Sequence, residues 1–96
     1  MSADRWHFRI FIVPEATTSV AACARLRRLC ETRLPAGAWE IEEIDLLRRP
    51  ELAAQHQIVA IPLLERVEPA PLVRVIGDLS REDVAAQLLG LPEASR

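Results

Sequence analysis

Hydrophobic positions along the chain follow two rhythms, one close to two residues and one close to three and a half. His7 to Val13 (HFRIFIV) is a nearly unbroken β-branched and aromatic run that stops at Pro14, which predicts a buried strand. Pro14 to Thr18 reads as a turn, with Thr17 or Thr18 available to cap a helix. Ala22, Cys23, Leu26, Leu29 and Cys30 then recur at helical spacing, predicting a helix over about Ser19–Arg33 with Arg25, Arg28 and Thr32 on its wet face. Pro35-Ala36-Gly37 ends it. A second strand covers 39–46 (WEIEEIDL). Its apolar positions change phase between Ile41 and Ile44, which requires either a bulge or a strand that is apolar on both faces. Pro50 suits the first position of a short helix over Pro50–His56, where no N–H is needed, and Glu51 complements its dipole. Beyond Pro62, Leu63–Val67 and Leu72–Ile76 read as strands joined by the tight loop Glu68-Pro69-Ala70-Pro71, hence a hairpin. Gly77-Asp78-Leu79 turns the chain. Ser80, with Asp83 three residues on, is predicted to cap a last helix that runs to Leu89 and stops at Gly90 and Pro92.

The resulting order is β-α-β-α-β-β-α. Two strands joined through a helix pair in parallel, and a terminal hairpin plus a final helix complete a layered α/β sheet. That is the thioredoxin arrangement. The Ile61-Pro62 step, at the start of the third strand, falls where such folds hold a cis-proline, so Pro62 is expected in a cis peptide bond.

Thioredoxin chemistry is missing. It needs a nucleophilic Cys at the start of the first helix, where the dipole lowers its pKa, and a second thiol to resolve the mixed disulfide. Pro14-Glu15-Ala16-Thr17-Thr18-Ser19 occupies that place. Cys23 and Cys30, seven residues apart, share a helix face ~10 Å apart along the axis, beyond disulfide reach, and read as small core hydrophobes. They form no ligand pattern with His7 or His56, so neither a metal nor a cofactor is expected. Neither a P-loop nor a G-x-S-x-G motif occurs. On a regular strand Glu40 and Glu42 share one face while Glu43 and Asp45 take the other, so these acids read as a solvated edge that discourages stray pairing. The chain is not expected to be an enzyme.

Composition narrows the partners. With 96 residues there is room for a single domain, 1–96, with a folded core over about 7–91. Twelve basic residues, every one Arg, are interspersed with 14 acidic ones for a net charge of −2, which argues against nucleic acid. Apolar runs such as Gln57–Leu64 are far shorter than the ~20 residues of a membrane helix. Met1 to Trp6 lacks signal-peptide character, so a cytoplasmic location is expected.

Three blocks carry a family resemblance: Asp45-Leu46-Leu47-Arg48-Arg49-Pro50-Glu51-Leu52-Ala53, Ile58-Val59-Ala60-Ile61-Pro62-Leu63-Leu64, and Pro69-Ala70-Pro71-Leu72-Val73-Arg74-Val75-Ile76-Gly77-Asp78-Leu79-Ser80. With Thr18-Ser19-Val20 after the first strand, they resemble the KaiB family over about residues 8–82. The family's runs are D-V-x-x-x-P-x-L-A, A-T-P-T-L and P-P-P-x-R-R-x-I-G-D-L-S at this spacing, the last being the most specific.

The resemblance implies a non-enzymatic adaptor that binds a KaiC-type double P-loop ATPase and modulates its cycle in a timing or signalling system. A KaiA-like protein or a sensor kinase is a further implied partner, and a homodimer or homotetramer an implied state. It also implies an alternative β-α-β-β-α-α-β arrangement of the second half, within a few kcal/mol of the first. Where the family often carries a Gly-containing segment, this chain has Val84-Ala85-Ala86-Gln87-Leu88-Leu89, good helix formers; an interior Gly-to-Ala change favours helix by ~1 kcal/mol, so the thioredoxin-like form is the expected resting state. Further departures are Pro14 where Gly is usual, and Ala21 and Ala24 where basic residues are common. The candidate partner-binding residues are Arg25, Arg27 and Arg28 on the first helix, the Arg48-Arg49 turn, and Arg74 with Asp78; Pro50, Pro62, Gly77 and Ser80 are structural candidates. The other reading is a stand-alone sensory or scaffold module like the KaiB-like input domain of a sensor histidine kinase. That domain lacks the Ile76-Gly77-Asp78-Leu79-Ser80 block.

Overall fold

A computed structural model describes residues 5–94; Met1 to Asp4, part of the stretch read as lacking signal-peptide character, lie outside the described residues. The elements are β1 (Trp6–Ile12), α1 (Thr17–Arg33), β2 (Trp39–Asp45), α2 (Glu51–Gln55), β3 (Leu63–Glu68), β4 (Val73–Ile76) and α3 (Glu82–Leu89). This is the first of the two expected orders. The sheet runs β2-β1-β3-β4, with β1 parallel to β2 and antiparallel to β3, and with β3 and β4 forming the hairpin.

Alternation along β1 supplies both faces of the sheet. Phe8, Ile10 and Ile12 point into the main core with Leu26, Leu29 and Cys30 of α1 and Ala85, Ala86 and Leu89 of α3. Phe11 points the other way, into a small second cluster with Ile44, Leu52 and Leu63. Burial of each large apolar side chain contributes about 1.5–3 kcal/mol, and α2 is attached by very few of them. Most of its side of the sheet is left uncovered by helix. Among the described residues no helix is long and apolar enough to cross a membrane.

The phase change in β2 needs no bulge. Trp6↔Trp39 through Ile12↔Asp45 pair without a slip. Ile41 packs against the main core and Ile44 belongs to the second cluster, so the strand is apolar on both faces. The irregularity lies in the β1–β3 ladder instead, between His7 and Phe8.

Three boundary expectations are corrected. Ala16, not Thr17 or Thr18, is the N-cap of α1, and it makes no side-chain cap bond. The buried Ser19 hydroxyl is used instead: it accepts the Val13 N–H at 3.2 Å and ties the end of β1 to the helix. Pro50 is the N-cap of α2 and lies just outside the helix. Ser80 does not cap α3, which starts two residues later with Arg81 as N-cap. Its backbone N–H is already given to the Asp78 Oδ1 at 3.0 Å, and Leu79 has φ 61, so the turn is completed before the helix begins. The Ile61-Pro62 bond is cis as expected. Gly77 has φ 124, open only to glycine, and its N–H donates to the Pro62 carbonyl at 3.0 Å.

Candidate functional site

At the mouth of α1, where a redox fold places its thiol, stands Thr17-Thr18-Ser19. Both sulfurs lie deeper along the helix and are free thiols. Burial, helped by the charge and hydrogen bonding of Glu43, pushes the Cys23 thiol up to about 11, against the opposing pull of Arg27. Burial likewise pushes Cys30 up to about 12. Both are therefore protonated at neutral pH. A thiol-specific reagent is expected to modify the folded chain only slowly at pH 7–8 and to speed up only as the pH approaches 11. Because the folded pKa values are raised, their contribution to stability is complete below pH 9 and declines as pH rises from there toward 11–12. Fast modification at pH 7 without unfolding would contradict this environment.

The seven partner-binding candidates separate into two groups. In the first, Arg25 reaches from α1 to the turn before α3, donating from Nη1 to the Asp78 carbonyl at 2.9 Å and facing its Oδ2 at 3.5 Å. The Ser80 N–H and then its hydroxyl hold the Asp78 carboxyl below the usual carboxylate range, with Arg25 adding to the effect. Arg28 faces Glu82 at 3.9 Å and Arg27 faces Glu43 of β2 at 3.6 Å. The arginines of α1 thus brace the helix against both neighbours while remaining partly or largely exposed.

The second group brackets α2. Arg48 and Arg49 lie in the exposed turn that enters it, their N–H groups both directed to the Asp45 carbonyl at 3.1 Å, and Arg49 faces Glu51 at 3.5 Å. Arg48 is exposed and has no ion-pair partner among the described residues. At the far end of α2, Arg74 donates from Nη2 to the His56 carbonyl at 2.6 Å.

Arg74 is also the last rung of a charge ladder that the sequence reading did not identify. Glu42, Arg9, Glu65 and Arg74 are direct cross-strand neighbours on β2, β1, β3 and β4. Their charges alternate across the uncovered face of the sheet. Arg9 faces Glu42 at 3.7 Å and donates to Glu65 at 3.0 Å; Glu65 meets Arg74 at 3.4 Å and His56 at 3.6 Å. Glu65 is only 2% exposed. The available signal was a Glu-Arg pair inside an otherwise apolar strand, Leu63-Leu64-Glu65-Arg66-Val67, which demands partners on both faces. No group of three or more potential metal ligands occurs among the described residues.

The KaiB domain model matches residues 9–91. The chain belongs to the KaiB family. Circadian clock protein KaiB3 of Synechocystis is 34% identical over 91 residues, covering 95% of this chain and 86% of that protein. The circadian clock oscillator protein KaiB of Synechococcus elongatus is 37% identical over 84 residues, covering 86% and 78%. These KaiB relatives are named for a clock, not for a catalysed reaction. The solved N-terminal domain of SasA from Synechococcus elongatus has a TM-score of 0.71 at 19% identity, covering 92% of this chain and 83% of that one. Chloroplastic thioredoxin z has a TM-score of 0.68 at 16% identity, covering 91% and 80%. At those identities the likeness establishes the fold: this KaiB chain has the thioredoxin-like α/β architecture.

Proposed function

We propose that this chain is a non-catalytic KaiB-type adaptor that docks on a KaiC-type double P-loop ATPase and modulates its phosphorylation and ATPase cycle. The observation that supports the reading best is a KaiB chain in the thioredoxin-like arrangement whose α1 mouth carries Thr17-Thr18-Ser19 in place of a thiol. With sulfur chemistry gone from that position, the scaffold offers a surface. Arg48 and Arg49 contribute to it because both are exposed in the turn before α2, where Arg48 can meet a carboxylate of the partner directly and Arg49 by exchanging its exposed contact with Glu51. Arg25, Arg27, Arg28 and Asp78 form the second charged edge, and Arg74 the far end of α2. A cytoplasmic location, a KaiA-like protein or a sensor kinase as a further partner, and a homodimeric or homotetrameric state belong to the same reading.

The test is co-elution of the purified chain with a KaiC-type ATPase from the same organism, in the presence of ATP. A stable complex is expected. Arg48→Glu with Arg49→Glu lowers its affinity at least ~10-fold while leaving the circular dichroism spectrum unchanged. Unchanged affinity removes that turn from the surface. Absence of any complex replaces this reading with the stand-alone sensory or scaffold module.

A further inference from the structure

Arg66 is the other half of the Glu-Arg pair in β3, and it points away from the charge ladder into the main core. It is 8% exposed and has no carboxylate partner among the described residues. Its two terminal nitrogens donate instead to backbone carbonyls of two separate segments: Nη1 to Leu89 at the end of α3 and Nη2 to Pro71 at the tip of the β3–β4 hairpin, both at 2.7 Å. Nε is buried without a partner, and the guanidinium carbon lies 6.0 Å from the Trp6 ring.

The sequence around the end of α3 is fitted to this arrangement. Gly90 has φ 70, its N–H donates to Gln87, and the Leu91 N–H donates to Ala86, the paired bonds of a Schellman close. That motif satisfies two helix-terminal carbonyls and leaves the Leu89 carbonyl for the guanidinium. A Cβ at Gly90 would stand 2.9 Å from Nη1, so glycine both adopts the left-handed turn and makes room for the arginine. The negative end of the helix dipole supplies the counter-charge that no carboxylate provides.

We infer that Arg66 is a clasp that joins the hairpin tip to the C-terminus of α3, so that the segment from Asp78 to Pro92 is held or released as one unit. The segment's other polar ties are arginines as well. Arg25 donates to the Asp78 carbonyl, Arg28 faces Glu82, and Arg33 donates to the Pro92 carbonyl at 3.4 Å. Three of these four ties end on backbone carbonyls and so do not depend on the sequence of the segment they hold. Arg66 alone is buried and alone spans two segments. When it lets go, Val73 and Val75, which pack against the main core under α3, lose their cover. The clasp therefore sets how often this chain uncovers that strip.

Hydrogen exchange of the full chain, followed residue by residue, tests this with Arg66→Met and Arg66→Lys. Methionine keeps the apolar stem and removes the donors; lysine keeps the charge but cannot span both carbonyls. In both variants the amides of residues 85–91 are expected to exchange at least ~10-fold faster, while those of residues 8–12 keep their wild-type rates. Wild-type rates over 85–91 in the lysine variant would show that charge without the bridge is enough and would overturn the inference. So would an equal acceleration across the whole chain, which marks a general loss of stability. Should Arg66→Met fail to fold, Arg66→Lys alone decides between these outcomes.

Discussion

Replacing Glu65 by alanine lowers the stability of the folded chain by about 2–3 kcal/mol in a urea titration. Glu65 is the one fully buried member of the four-strand ladder; it accepts from Arg9 and forms an ion pair with Arg74, its two cross-strand neighbours. Removing it takes the carboxylate from Arg74, leaves Arg9 with only the half-exposed Glu42, and sets the two like charges facing each other across β3. Breaking a buried pair usually costs ~3–5 kcal/mol; the lower figure applies because the side chains of Arg9 and Arg74 are 25% and 35% exposed and recover some hydration. The decisive comparison is the double variant Glu65→Leu with Arg9→Leu. It no longer strands Arg9, so it is expected to cost less than Glu65→Ala alone. If the double variant is the less stable of the two, the cross-strand pair is a net source of stability and the argument from a stranded charge fails.

The ladder also shows where the sequence ceases to be legible. All seven elements could be read from periodicity because each is set by neighbours a few residues away: the apolar repeat of α1, the alternation of β1, the helix-stopping Gly90. The cap assigned to Ser80 failed although it is local, because Asp78 competes for the same N–H and wins when Leu79 takes a left-handed φ. Glu65 and Arg66 were missed for a different reason. Their partners lie 56 residues away at Arg9 and 23 residues away at Leu89, and only the strand order β2-β1-β3-β4 brings them together. The candidate surface was legible in composition but not in layout. Seven charged residues could be nominated from motifs, yet nothing in one dimension showed that Arg25 and Asp78 meet each other while Arg74 faces the opposite side of the sheet from α1. The phase change between Ile41 and Ile44 lay between these extremes. It could be stated as a choice between two geometries, and the unbroken β1–β2 register selected one of them.

The second large effect is expected at Leu52. It is the sole buried side chain of α2, and it anchors that helix in the cluster with Phe11, Ile44 and Leu63. A five-residue helix has no stability of its own in water, so its attachment rests on this residue, on the tilted ring contact of His56 with Phe11 (centroids 4.9 Å apart) and on the Arg74 bond to the His56 carbonyl. Leu52→Ala weakens the attachment by about 2–4 kcal/mol. Because the cluster is separate from the main core, the damage is local: amides of residues 51–58 lose protection against exchange while those of α1 and α3 keep theirs. The change reaches the proposed docking surface without altering a single charge, since the Arg48-Arg49 turn enters α2 and takes its position from it. Affinity for the ATPase should therefore fall in Leu52→Ala in the same direction as in the double Glu variant at 48 and 49. Full affinity combined with demonstrably faster exchange over 51–58 would detach α2 from the docking surface and leave the charged edge of α1 as the part that meets the partner.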